Sequence, residues 1–308
     1  MFVHVVRDAH THFLSYSFFQ KLALEAGLIE PDGTGSVAQA GERLGWEMPD
    51  PDPAWLAGRW VSEMDKNRVS QSIIFGSLPD EEYPVGAACR AYRDRLIGFA
   101  MVNPVGSDKV EAVQRVVDQG LKGILLFPAM HGYRASDRAL YPLYEAADEH
   151  RLCIFVHCGA LKVAFRTRMG LSSAFSGEMA NPIELQKPAA SFPNIRFIVP
   201  HLGSGMLREL LMLADMCDNV YTDTSGIGGW ARYLPELTAV TALKKVVEVM
   251  GVERILFGSD SSFFPRGFRT DVVQQQLEVF AQAGFGHGEL EKVLGGNLQR
   301  VLGQMVPA

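Results

Sequence analysis

Five residues of metal-ligand type, His10, His12, His157, His201 and Asp260, sit at or just beyond the ends of separate short apolar runs: Phe2 to Val6, Cys153 to Val156, Phe197 to Pro200 and Ile255 to Ser259. Few folds can use such a pattern. A short apolar run ending in polar residues reads as a buried strand leaving into a loop. In Asp8-Ala9-His10-Thr11-His12-Phe13 the two imidazoles stand two residues apart, so on a strand they project to one side, with Asp8 on the same face. Neutral imidazoles combined with a carboxylate suit Zn²⁺ and its first-row neighbours.

The intervening sequence explains how such residues meet. Val69 to Phe75 reads as a second strand, a helix follows around Gly86 to Asp94, and Leu96 to Val102 reads as a third strand. Val110, Val113, Val116 and Val117 share a helical face before a fourth strand, Gly123 to Phe127; Leu140, Leu143, Tyr144 and Ala147 repeat that spacing before the strand that ends at His157. A helix over Pro182 to Ala190 leads to the strand before His201. A helix with Leu207, Leu210, Leu211 and Ala214, a strand at Val220 to Asp223, and a helix with Leu243, Val246, Val247 and Met250 lead to the strand before Asp260. Asp271 to Ala283 closes the series, and Leu290 to Leu302 reads as a terminal helix interrupted by Gly295-Gly296.

Roughly eight strands separated by helices predict an α/β architecture, a (β/α)₈ TIM barrel, whose functional residues gather at the C-terminal ends of its strands. With 308 residues and 47% hydrophobic content the chain is expected to form one domain over residues 1–308. The barrel is expected to be distorted by long excursions after strands one and five. Residues 14–67 contain the turn-rich Pro31-Asp32-Gly33-Thr34-Gly35 and helices over Ser15 to Ala26 and Pro53 to Lys66; residues 159–180 carry Lys162, Arg166 and Arg168. Both are too long for simple connections and are read as cap or lid insertions.

A net charge of −6 with no basic patch in the sequence argues against nucleic acid as a partner. No apolar stretch is long enough to span a bilayer and no export signal opens the chain, so a cytoplasmic protein without a membrane partner is expected. Cys89, Cys153, Cys158 and Cys217 lack paired motif spacing and read as reduced thiols. A homodimer is the default assembly, with Tyr16 to Phe19 or the terminal helix as candidate contacts.

Taken in order, Asp8-Ala9-His10-Thr11-His12-Phe13, His157-Cys158-Gly159, Pro200-His201-Leu202-Gly203-Ser204, Phe257-Gly258-Ser259-Asp260 and Gly296-Asn297 with Arg300-Val301-Leu302 resemble the amidohydrolase superfamily. The resemblance is to the branch containing aminocarboxymuconate-semialdehyde decarboxylase, resorcylate decarboxylases and dicarboxylate lactonases, and it spans almost the whole chain. It implies that His10, His12, His157 and Asp260 bind a metal while His201 stands beside it as an acid-base group. Dinuclear members carry a carboxylated lysine at the end of strand four. Here Lys122 lies at the beginning of that strand, Leu126 and Phe127 lie at its end, and Lys162 lies beyond strand five, so one divalent ion is expected. Zn²⁺ is the first expectation, with Mn²⁺, Co²⁺ or Fe²⁺ as alternatives.

These residues point to a metal-dependent enzyme acting on a small molecule. The first expectation is a hydrolase of an amide, lactone or ester that uses a metal-activated water, with His201 and Asp260 catalytic. The alternative is a non-oxidative decarboxylase of a small carboxylic acid, aromatic acids included, since that chemistry also needs one Lewis acid and one proton carrier. A non-catalytic metal- or ligand-binding barrel ranks third. His131, Tyr133 and Arg134 after strand four and Arg266 after strand eight are expected to bind a carboxylated substrate, with Phe13 and Trp230 as ring contacts.

Overall fold

The computed structural model describes residues 5–30, 32 and 34–303. Residues 2–4 of the first apolar run, and Pro31 and Gly33 of the turn-rich segment, lie outside the described residues. Eight parallel strands, β1 (Val6–Phe13), β2 (Val69–Pro79), β3 (Leu96–Met101), β4 (Gly123–Leu126), β5 (Cys153–Val156), β6 (Arg196–Val199), β7 (Val220–Asp223) and β8 (Ile255–Leu256), pair in chain order. The ring is completed from β8 to β1 by Ala9 N–H to the Phe257 carbonyl at 2.8 Å, Asp260 N–H to the His10 carbonyl at 2.9 Å and His12 N–H to the Ser261 carbonyl at 2.7 Å. This is the (β/α)₈ barrel the sequence predicts, nearly closed.

Helices α1 (Tyr16–Glu25), α2 (Ala38–Leu44) and α3 (Pro53–Lys66) precede β2; α4 (Glu82–Ala91) and α5 (Lys109–Asp118) follow β2 and β3. The short α6 (Pro128–His131) and then α7 (Tyr141–Glu149) follow β4, while α8 (Ala164–Arg168) and α9 (Gln186–Ser191) follow β5. Then come α10 (Leu207–Met216), α11 (Ala239–Met250), α12 (Thr270–Ala283), α13 (His287–Glu291) and α14 (Asn297–Gly303). Local chemistry sets these bounds. In α3 the Asp52 carboxylate accepts from Ala54 N–H, Pro53 takes the first turn, and Leu56, Ala57, Trp60, Val61 and Met64 form the buried stripe. In α11 Thr238 and Thr241 cap each other reciprocally.

Alternation along the strands sorts the side chains into two layers. Ile73, Phe75, Phe99, Met101, Leu125, Phe155 and Ile198 fill the barrel interior, whereas Ile74, Ala100, Ile124, Val156 and Val199 face the helices. A third core joins the two long excursions: Phe18, Phe19 and Leu22 of α1, Ala40 and Leu44 of α2, and Met169 just past α8 pack together, with Trp46, Phe165 and Phe263 against them. Phe18 and Phe19, offered by the sequence as an assembly surface, are thus buried within the chain.

Three expectations of detail are corrected. Strand eight covers Ile255 and Leu256 rather than running to Ser259, because Phe257 N–H donates to the Val293 carbonyl and Ser259 N–H to the Asp8 carboxylate. Gly295-Gly296 does not interrupt the terminal helix. The chain passes through a wide π turn at Lys292–Gly296, where a Cβ on Gly295 would stand 2.3 Å from the Val5 carbonyl oxygen. Finally, Asp8 does not share the face of His10 and His12. Three residue steps from Asp8 to Thr11 oppose two from Ser72 to Ile74, so a bulge breaks the alternation there. Asp8 is buried against the loop leaving β8, accepting from His10 and Ser259 N–H and from the Thr11 and Ser259 hydroxyls.

Candidate metal centre and its pocket

A pocket of about 520 Å³ opens at the C-terminal ends of the strands, and His10, His12, His157, His201 and Asp260 all line it. The bulge in β1 lets Ala9 pack in the barrel interior while the next residue, His10, turns into the pocket. His157 stands directly past β5. A Cβ on the following Gly159 (φ +75°) would lie 2.2 Å from the Gly203 carbonyl oxygen, so glycine lets the β5 exit meet the β6 exit that carries His201. Asp260 adopts φ 55°, a conformation aspartate tolerates better than most residues, and its N–H is held by the His10 carbonyl.

His10 Nε2 lies 3.5 Å and His12 Nε2 3.4 Å from Asp260 Oδ1. One ligand atom from each of these three residues lies within 4.8 Å of the others. Separations near 3.4 Å are long for charge-assisted hydrogen bonds, but match the ~3.3–3.5 Å expected between two donors each ~2.0–2.2 Å from one tetrahedral ion. His157 lies outside that tight trio; its ring centroid is 5.4 Å from that of His201, and its Nδ1 is buried without a hydrogen-bond partner. An orphaned imidazole nitrogen in such a pocket fits a ligand role. The donor set therefore fits a divalent cation.

Electrostatics favour the same state. Burial, with His201 and His10 nearby, pushes His157 down to about 3, and burial also lowers His10, so both rings are neutral donors at pH 7. Enclosure opposes ionisation of Asp260, but the opposing causes, led by the hydrogen bond with His12, outweigh it and hold the carboxyl well below the usual range. Burial raises Asp8 to about 6 against the opposing hydrogen bonds from Ser259 and His10.

The rings are also oriented from behind. His12 Nδ1 contacts Ser77 Oγ at 2.8 Å, and that hydroxyl faces the Phe75 carbonyl at 3.2 Å, so Ser77 accepts from His12. His201 Nδ1 faces the Ser225 carbonyl at 2.9 Å. A carbonyl only accepts, so Nδ1 carries the His201 proton and Nε2 is left with its lone pair. Asp223 Oδ2 lies 2.8 Å from His10 Nδ1, and Asp223 Oδ1 accepts from the N–H of His201 and of Ser225, each at 3.0 Å. Sequence reading passed over Asp223, although it closes β7 as His157 follows β5 and the same strand-end rule marks it.

Other predicted residues stand elsewhere. Arg266 lines the pocket, with Nη2 2.5 Å from Ser262 Oγ and its guanidinium 4.3 Å from the Phe263 ring centroid. His131, Tyr133 and Arg134 are not among the lining residues. Arg134 pairs with Glu184 at 2.8 Å, with its side chain 52% exposed, and Tyr133 is buried with its ring beside His131. The α6 turn leaves Met130 on the pocket wall and these three residues off it. Phe13 and Trp230 belong to the helix-facing core. Lys162 and Arg168 line the pocket, whereas Arg166 pairs with Glu25. At the end of β4, Leu125 and Phe127 line it, and Lys122 does not. Among the described residues no cysteine takes part in a disulfide.

A family model described as amidohydrolase matches residues 8–304. No curated protein sequence matches the chain. Among solved structures, it is similar to 5-carboxyvanillate decarboxylase from Sphingomonas paucimobilis, at 16% identity over 97% of this chain and 99% of that one, with a TM-score of 0.69. A 5-carboxyvanillate decarboxylase from Novosphingobium aromaticivorans, complexed with manganese and 4-hydroxy-3-methoxy-5-nitrobenzoic acid, is 16% identical over 97% and 96% of the chains, with a TM-score of 0.65. A probable 2-pyrone-4,6-dicarboxylic acid hydrolase from Acinetobacter baumannii with citric acid bound is 12% identical over 97% and 99%, with a TM-score of 0.60. At these identities the three structures share the fold.

Proposed function

The chain belongs to the amidohydrolase family, and we propose that it hydrolyses a small carboxylated carbonyl compound, an amide, lactone or ester, with one divalent ion held by His10, His12, His157 and Asp260. It is a metal-dependent hydrolase or carboxy-lyase acting on a small molecule. The hydrolytic reading rests on one observation: His201 spends its Nδ1–H on the Ser225 carbonyl, which leaves Nε2 as a proton acceptor in a ring that lines the pocket. When bound, a divalent cation polarises a carbonyl and can bring the pKa of water from 15.7 to about 7. His201 Nε2 takes the proton of the attacking water and returns it to the leaving atom; Asp260, ionised, orients that water. Zn²⁺ is the proposed ion, with Mn²⁺, Co²⁺ or Fe²⁺ able to use the same donors.

Charge in the pocket supports a carboxylated substrate. Lys162, Arg168 and Arg266 line it and form no salt bridge among the described residues. Opposite chemistry comes from Phe75, Met101, Leu125, Phe127 and Phe155, an apolar wall that receives the substrate's body while the cations hold its carboxylate. Residues 14–67 and 159–180 are proposed to cap this mouth within a single domain. Their shared core, with Trp46 and Phe165 also lining the pocket, supports that role.

The aromatic wall favours decarboxylation as the second reading: a planar benzoate lies against the phenylalanines, and His201 Nε2, after taking up a proton from solvent, passes it to the carbon that loses CO₂. A panel of carboxylated lactones, amides and benzoates, assayed separately for hydrolytic product and CO₂, tests the choice. Hydrolysis without CO₂ supports the first reading; CO₂ release from a benzoate with no hydrolysis replaces it with the second.

A further inference from the structure

We propose that Asp223 is a positioning residue that fixes the tautomer of His10, and through the Ser225 segment that of His201, so that both rings keep their protons on Nδ1 and present Nε2 lone pairs to the pocket. The inference rests on the metal-dependent reading above for what those lone pairs do, but not for where the protons lie.

Asp223 is wholly buried, and its carboxylate is saturated by donors. Oδ2 faces His10 Nδ1 at 2.8 Å, while Oδ1 accepts from His201 N–H and Ser225 N–H at 3.0 Å and from the Ser225 hydroxyl. A carboxylate with that many donors is ionised and accepts only, so the proton between it and His10 belongs to the ring. The other His10 nitrogen, Nε2, is the one 3.5 Å from Asp260 Oδ1. The Ser225 hydroxyl donates to Asp223 and so accepts from Nδ1–H of His201 at 2.8 Å, alongside its own carbonyl. One buried carboxylate thus holds the backbone of His201, the turn that orients the His201 ring, and the proton of His10.

His10, His201 and Asp223 also offer ligand atoms within 4.8 Å of one another, a spacing a second cation would show. The donors already on both Asp223 oxygens argue against that use, and Asp223 does not line the pocket. The arrangement is that of a carboxylate behind a metal-ligating histidine, where losing the outer partner typically costs ~10–100-fold in metal affinity.

Asp223→Asn provides the test. The three donors on Oδ1 keep the amide oxygen on their side, which turns the NH₂ toward His10 Nδ1; the Ser225 hydroxyl, 3.1 Å from that nitrogen, already accepts from His201, so with a donor in place of the nearer acceptor the His10 proton is expected on Nε2. In metal-free wild-type protein with ¹⁵N-labelled histidine, the His10 and His201 resonances, assigned by their loss in His10→Gln and His201→Asn, are expected to show Nδ1–H. In Asp223→Asn, His10 is expected to show Nε2–H, with the dissociation constant for Zn²⁺ or Mn²⁺ raised ~10–100-fold and an unchanged circular dichroism spectrum. Nε2–H on His10 in the wild type overturns the proposal without any variant, so a misfolded Asp223→Asn does not rescue it. An Asp223→Asn protein that keeps both tautomers and the wild-type metal affinity also overturns it. Expected tautomers with expected metal loss, but no turnover of any substrate by the wild type, leave the positioning role standing and remove the proposed reaction.

Discussion

Trp46 and Phe263 stack with ring centroids 4.2 Å apart and planes at 13°, joining the excursion after β1 to the loop after β8 above the pocket. Phe165, from the excursion after β5, packs edge-on against Trp46 at 5.7 Å. Three loops from three separate strand ends are therefore tied by one aromatic cluster, and the guanidinium of Arg266 lies over its Phe263 end.

Trp46→Ala removes the centre of that cluster. An aromatic pair contributes ~0.5–1.5 kcal/mol beyond its buried area, so the melting temperature should fall by a few degrees while the barrel persists. The Michaelis constant should rise ~10-fold with a smaller change in kcat. An unchanged Michaelis constant would separate the cluster from substrate binding.

Arg266→Ala should weaken a carboxylated substrate by ~2–3 kcal/mol, a 30- to 150-fold rise in Michaelis constant, and leave an uncharged analogue nearly untouched. Arg266→Lys should recover only part of the loss, because an ammonium cannot match a carboxylate's two oxygens in one plane. Equal effects on charged and uncharged substrates would contradict this role.

His201→Asn should lower kcat by ~100-fold or more while metal stoichiometry stays at the wild-type value, since the proton acceptor is lost and the ligand set is not. Loss of metal along with activity would make His201 a ligand.

How much of this was legible in the sequence depended on whether a rule of the barrel applied locally. That His10, His12, His157, His201 and Asp260 would line one pocket was legible because each leaves a strand at the same end of the barrel, and that end is one surface. Asp223 obeys the same rule but was read only as the last residue of β7, since a buried carboxylate that braces a histidine gives no signal until the histidine's other nitrogen is located. His131, Tyr133 and Arg134, expected at the pocket, do not line it. They follow β4 in sequence, but of this segment Met130 lines the pocket and these three do not, and closeness to a strand end in the chain is not closeness in space. The Asp8 error came from assuming strict alternation through a strand that contains a bulge.

Burial pushes the Cys89 and Cys153 thiols up to about 12, and Cys158 higher still. A thiol whose pKa is raised stays protonated to higher pH, so at pH 8 only ~10⁻⁴ of Cys89 or Cys153 is thiolate and reactive. Iodoacetamide should label these positions far more slowly in the native protein than in denaturant, where all four cysteines react. Rapid native labelling of Cys153, read by mass spectrometry of its peptide, would contradict the packing of β5.

The central claim is that His10, His12, His157 and Asp260 hold one divalent ion. Elemental analysis of protein purified without chelator, beside His12→Ala prepared identically, tests it most directly. The account predicts about one ion per chain in the wild type and a loss of most of it in the variant. Two ions per chain would mean that a bridging ligand exists despite Leu125 and Phe127 at the end of β4; no ion, even after supplementation with Zn²⁺ or Mn²⁺, would contradict the mechanism and leave only the barrel.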